Sequence, residues 1–129
     1  MLNDLRKLTT DDYPAFPLNE TAGDQIYCQT KIIGEQMAEE FVRTRSKSII
    51  SIRFGWVTID NQPGLTWLRT VWLSYNDLCS FLLKSIQSSS TISGIYFALS
   101  DNHRSWLDIE KSKHDFGYIP IDGARRISM

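Results

Sequence analysis

The chain has 129 residues, 42% apolar, 12% aromatic and 22% charged: material for one domain at most, and too apolar for a disordered tail. Fourteen Lys+Arg against 15 Asp+Glu leave a formal charge of −1, with no electrostatic footprint for nucleic acid or an acidic membrane surface. Apolar runs of only a few residues fall far short of the roughly 20 that span a bilayer. No secretory signal opens the chain, and Cys28 and Cys79 lack metal-type spacing, so a cytoplasmic, reduced setting without metal is expected.

Residues 1–24 read as an irregular lead-in. Leu2, Leu5 and Leu8 could line a helical turn or two, Pro14 and Pro17 break the chain, and Asn19, Glu20, Thr21 and Gly23 read as exposed loop. A helix is predicted over 25–45. There Ile26, Ile33, Met37 and Phe41, flanked by Gly34, Ala38 and Val42, recur at three- and four-residue steps and form an apolar stripe. Ser48 to Phe54 reads as a short buried strand, and Asp60 to Gly64 as a turn. Ser74-Tyr75-Asn76-Asp77 has the hydroxyl and acid of a helix start, leading into Leu78, Phe81, Leu82, Leu83 and Ile86. Ile95 to Leu99 is a second short strand. Ser105-Trp106-Leu107-Asp108 repeats the helix-start pattern, and Gly117 and Pro120 end the helix that follows.

Helices alternating with buried-type strands argue for an α/β layer with parallel strands. Two strands of about six residues are too few to cover three amphipathic helices. The pattern reads as half of a fold: one partial domain over 1–129, with strands, a substrate segment and helices in 48–129. Such a half-sheet is expected to be partly open, or closed by association.

Tyr27 and Lys31 stand four apart at the start of the first helix and so share a face. A phenol is a poor base at neutral pH, and a nearby ammonium favours its ionised form, which suits proton transfer to or from a carbinol. Tyr27-Cys28-Gln29-Thr30-Lys31-Ile32-Ile33-Gly34-Glu35, a helix, and then Ile50-Ser51-Ile52-Arg53-Phe54-Gly55 resemble the Y-x-x-x-K-x-x-x-E helix and R-x-G strand of extended short-chain dehydrogenases/reductases, the NAD-dependent epimerase/dehydratase family. Three further blocks, Thr70 to Leu78, Leu99 to Asp108 and Phe116 to Asp122, are similar in order and spacing to its uronate dehydrogenase-like branch.

The resemblance implies the C-terminal half of a Rossmann-type doubly wound parallel sheet, without its N-terminal βαβ nucleotide-binding half. It implies Tyr27 as catalytic acid/base and Lys31 as its partner, holding the nicotinamide ribose. Phe54, Gly55, Trp56 and Val57 would lie beside the cofactor, NAD or NADP, and Trp56 and Arg69 would face a sugar or sugar-acid substrate. The Asp101-to-Arg104 stretch would shape a loop, with His103 and His114 as ordinary surface or packing residues. The seven glycines form no G-x-x-G-x-x-G phosphate loop, so weak NAD binding and no turnover are expected of these residues alone. Trp56 stands where the uronate branch carries a small hydroxyl. The other readings are a non-catalytic module that associates as a homodimer or with a fuller homologue through the Tyr/Lys helix, and a fragment with no function of its own.

Overall fold

The computed structural model describes residues 6–12 and 21–125; the expectations for Leu2, Leu5, Pro14, Pro17, Asn19 and Glu20 lie outside them. The elements in chain order are α1 (Ala22–Arg45), β1 (Ile50–Phe54), a 3-10 turn (Trp67–Val71), α2 (Tyr75–Ile86), β2 (Gly94–Ala98) and α3 (Glu110–Phe116). β1 and β2 pair in parallel, Ile50 opposite Gly94 through Phe54 opposite Ala98. With α2 as the crossover they form a βαβ unit, the arrangement that parallel pairing needs. None of the described helices is long and apolar enough to cross a membrane.

The two faces of this sheet are covered unequally. Ile50, Ile52, Tyr96 and Ala98 point to the side where Leu73, Phe81, Phe116 and Tyr118 complete the core. Phe81 meets Phe116 and Tyr118 edge-on, at centroid separations of 5.7 and 5.0 Å. The other face belongs to α1, and it is thinly covered. α1 has no fully buried residue. Cys28, Ile32, Glu35, Ala38 and Val42 are half-buried, whereas Ile26, Ile33, Met37 and Phe41 are exposed, Met37 by 67%. The apolar stripe visible in the sequence is therefore the outward face. A cleft of about 430 Å³ separates Ala38 and Val42 from Ile49, Ser51 and Ile95.

The two edges differ as well. Ile95, Phe97 and Leu99 are alternate residues whose carbonyls accept from Lys111 Nζ, Ser112 Oγ and the Tyr118 hydroxyl at 3.0, 2.8 and 2.6 Å. Side chains thus cap the carbonyls along the outer edge of β2. The outer edge of β1 has no strand partner among the described residues.

Local departures from the sequence reading have physical causes. α1 begins three residues early, because Thr21 and Asp24 form a reciprocal capping box in the stretch read as loop. Leu8 joins no helix: it makes an isolated parallel bridge to Leu107, its amide donating to the Trp106 carbonyl at 2.9 Å. That pairing holds residues 106–108 extended and delays α3 to Glu110, whose amide is met by Asp108 Oδ1 at 2.7 Å. Ser105 is thus no cap; its hydroxyl donates to the Leu107 carbonyl. Gly117 does end α3, in the left-handed conformation.

α3 is tied to β2 by the Tyr96 hydroxyl, which donates to Asp115 Oδ2 at 2.6 Å; the other carboxylate oxygen pairs with His114 Nδ1 at 2.8 Å. The His114 bond and then the Tyr96 bond hold the Asp115 carboxyl below its ordinary value. A carboxylate whose folded value is depressed stabilises the fold fully above its unfolded value, about 3.9, and loses that contribution as pH falls through the folded value. Amide protection in α3 should therefore decline below about pH 4, and Asp115→Asn should remove that decline. A protection profile of the variant identical to the parent's across this range would refute the tie.

Candidate active site at the carboxyl end of the sheet

α1 ends at Arg45, and a four-residue link through Ser46, in the left-handed conformation, leads into β1. Helix and strand so joined run antiparallel, which brings the first turns of α1 to the carboxyl end of β1. In open α/β sheets that end is where ligands bind. The junction is fixed at Glu35 and Arg53. Their bidentate pair measures 2.7 Å at both contacts, and both side chains are about four-fifths buried, with 18% and 22% exposed. Lys31 and Tyr27 lie one and two turns farther along, about 6 and 12 Å past Glu35.

Lys31 Nζ lies 5.1 Å from the centroid of the Tyr27 ring, within range for a cation–π contact. Tyr27 is 62% exposed. Neither its hydroxyl nor the Lys31 ammonium has a hydrogen-bond partner among the described residues, although the Tyr27 carbonyl accepts from Thr30. A free phenol and a free ammonium on one open face can both reach a ligand.

Phe54, Gly55, Trp56 and Val57 carry the chain off the sheet toward this end, and here the strands part. Gly55 donates to the Ala98 carbonyl at 2.9 Å. Trp56 then pairs with the segment around Trp72, donating to the Val71 carbonyl at 2.8 Å and accepting from the Leu73 amide at 2.9 Å. A third backbone thus wedges between the two strand extensions. A methyl on Gly55 would lie 2.4 Å from the Val71 carbonyl oxygen and 2.5 Å from Leu99 Cδ2. The half-buried Trp56 ring lies against Gly64, which turns with φ +63°. Phe54 and Val57 stay exposed.

Arg69 does not stand free. Its Nη1 donates to the Gly64 carbonyl at 2.5 Å and its Nη2 to the Arg125 carbonyl at 2.7 Å, clamping the 55–72 loop to the C-terminal segment. Tyr75 pins the same loop from the other side, its hydroxyl on the Ile59 carbonyl and its amide on Asn61 Oδ1. Trp72 is buried beneath, and its indole N–H has no acceptor among the described residues.

Two polar centres support this end, one around Asp77 that sequence reading did not find and one at Asn102, within the stretch expected to shape a loop. Ser74 caps α2 as expected, but Asp77 does not reach back to the Ser74 amide, which donates instead to Ser100 Oγ. The fully buried Asp77 carboxylate accepts from Ser100 Oγ at 2.6 Å and from the amides of Ile121 and Asp122 at 2.8 and 3.2 Å. Ser74 Oγ donates to Asp122 in turn. Burial, then the charges of Asp77 and Asp122, raise the nearby Tyr118 phenol above its ordinary value. Asn102 shapes the loop after β2: its side-chain amide donates to the Trp72 carbonyl at 2.8 Å, and its oxygen accepts from the Ala124 amide at 3.0 Å. His103 and His114 are exposed. No group of three His, Cys, Asp or Glu among the described residues is placed to hold a metal.

No protein-family model matches the chain. It is similar to YtbQ, an uncharacterized protein of Bacillus subtilis, with 30% identity over 118 residues, 89% of this chain and 44% of that protein. It is also similar to uronate dehydrogenase of Pseudomonas putida, 29% identical over 101 residues, 78% of this chain and 37% of the other. Its fold superposes on a tyrosine-to-alanine variant of uronate dehydrogenase from Agrobacterium tumefaciens complexed with NAD, with TM-score 0.76 and 22% identity, over 92% of this chain and 41% of that one. The chain spans less than half the length of the proteins it matches. The Pseudomonas relative and the structural neighbours are of the uronate dehydrogenase type, in the NAD-dependent epimerase/dehydratase superfamily, and the fold of this chain is a carboxyl-terminal part of their Rossmann-like sheet.

Proposed function

We propose that this chain carries the proton-transfer side of an NAD-dependent oxidoreductase acting on a sugar or sugar acid. The observation that carries this reading is a pair of polar groups with no hydrogen-bond partner among the described residues, the Tyr27 phenol and the Lys31 ammonium, on one open face at the carboxyl end of the sheet. Tyr27 takes the proton of the substrate carbinol, and Lys31 keeps positive charge against the ring and donates to ribose hydroxyls. A bound NAD would supply the hydride acceptor for the same carbon. Phe54, Gly55, Trp56 and Val57 border the nicotinamide end, and Trp56 walls the substrate side. Arg69 holds the substrate loop in place through Gly64 and Arg125, and its remaining N–H groups are the donors left for a substrate carboxylate. The residues present fit the nicotinamide–ribose end of the dinucleotide but offer no glycine-rich cradle for its phosphates. The 129 residues alone should therefore bind NAD weakly and show no detectable turnover. Free Cys28 and Cys79 suit a cytoplasmic setting.

The decisive experiment fuses residues 21–125 to the nucleotide-binding part of Pseudomonas putida uronate dehydrogenase and follows NAD reduction on uronates and hexoses. Turnover is expected in the fusion, with Tyr27→Phe lowering kcat by about 10²–10⁴-fold. A Tyr27→Phe fusion as fast as its parent would overturn the assignment.

The exposed stripe of Ile26, Ile33, Met37 and Phe41 favours a second reading, in which α1 packs against another copy or a fuller homologue. The two readings separate in one sedimentation series. Phe41→Asp should return an associated species to monomer, while Tyr27→Phe should leave association intact.

A further inference from the structure

We propose that Glu35 and Arg53 are a positioning pair that sets the axial register of the Tyr27–Lys31 helix against the carboxyl end of β1. This rests on the site reading above and goes beyond it, because Glu35 and Arg53 are largely buried and spend their polar atoms on each other, and so act on the site only through the helix. Apolar packing does little to hold α1. A helix of 24 residues with none of them fully buried has little apolar contact to fix where it sits along its own axis. The side chains on its inner face are mostly small or short, among them Cys28, Ala38 and Val42, and the cleft beneath Ala38 and Val42 leaves that half of the helix standing off the sheet. Loosely packed apolar surfaces slide; a bidentate fork does not, because both of its bonds are lost together when the helix shifts by one turn.

The fork itself is anchored. The Arg53 guanidinium lies 5.7 Å from the centroid of the Phe97 ring on β2, so both strands hold the cation that grips the helix. The pair is also close to the site at both ends. Glu35 is one turn beyond Lys31 on α1, and Arg53 is two residues before Gly55, where the chain leaves the sheet. A displacement at this junction is transmitted directly to the separation between the phenol and the Phe54-to-Val57 segment. The Arg43–Glu40 ion pair joins two residues of α1 itself and cannot do this.

Spin labels test the register without any need for turnover. One is placed on Cys79 of α2, which is exposed, and the other on Gln29→Cys in a Cys28→Ser background. The parent chain should give one narrow distance distribution. Glu35→Gln and Arg53→Gln should each broaden or displace it by about one helical turn, ~5 Å, with far-UV helicity retained. The charge-reversed double variant, Glu35→Arg with Arg53→Glu, should narrow it again. An unchanged distribution in both single variants, collapse of overall helicity in either, or failure of the reversed pair to restore the width would each overturn the proposal. Absence of turnover in the fusion enzyme leaves this distance readout untouched, so the two failures are distinguishable.

Discussion

Replacing Asp77 with alanine should lower stability by about 3–5 kcal/mol and leave much of the chain unfolded under conditions where the parent is native. The carboxylate is fully buried and accepts from one hydroxyl and two backbone amides. Its removal strands those donors, each costing about 1–3 kcal/mol when desolvated without a partner, and opens a void beneath α2. The three donors come from the end of β2 and from the C-terminal segment, so their loss should release residues 121–125 together with the start of α2. Asp77→Asn separates charge from geometry. Its amide keeps one acceptor oxygen but presents N–H groups to other donors, and it should fall between alanine and the parent. Urea denaturation followed by tryptophan fluorescence reads the series; an alanine variant within about 0.5 kcal/mol of the parent would show that the network is dispensable.

A second large effect is expected at Gly55. An added methyl meets the Val71 carbonyl oxygen at 2.4 Å and Leu99 Cδ2 at 2.5 Å, with the Ala98 carbonyl oxygen at 3.2 Å. The leucine can rotate aside, but the two carbonyls belong to backbones that flank the splitting point of the sheet and are hydrogen-bonded there. Gly55→Ala must therefore push the Trp72 segment away from Trp56. Overpacking of this kind costs about 1–3 kcal/mol, and more where backbone has to move. The resemblance assigns Gly55 to the cofactor's side, and packing alone already requires a residue without a side chain there. In the fusion enzyme a substitution at this position should reduce thermal stability before any effect on NAD affinity is considered. A melting temperature unchanged in Gly55→Ala would sink the steric account.

The sequence carried the alternation of helices and strands well, because the local signals were strong: Ser74 in front of α2, Gly117 behind α3, an isoleucine-rich run for β1 and the aromatic and aliphatic run from Ile95 to Leu99 for β2. It failed where the deciding partner is distant in the chain. Ser105 has a helix-start pattern, yet the bridge between Leu8 and Leu107, some hundred residues apart, holds its surroundings extended. Asp77 reads as a weak capping acid, and only the fold reveals the amides of Ile121 and Asp122 converging on it. For α1 the periodicity of Ile26, Ile33, Met37 and Phe41 marks an apolar face, but periodicity cannot say which side meets the sheet. Half-buried Cys28, Ile32, Glu35, Ala38 and Val42 form the inward row, and a glutamate in that row disguised it. The spacing of Tyr27 and Lys31 was fully legible, being a property of one helix. For Arg69 the sequence offers a cation in the loop but not its anchoring, which depends on the carbonyls of Gly64 and the distant Arg125.

The unequal rims of the sheet limit how copies of this chain can aggregate. Fibril growth by strand addition needs two sticky sides, one to join the layer before and one to receive the next. Here Lys111, Ser112 and Tyr118 occupy the carbonyls of one side, so among the described residues any copy that adds along β1 uses the more adhesive of the two rims. Edge pairing between two such molecules is self-terminating: it ends in a closed four-stranded pair and has nowhere to propagate.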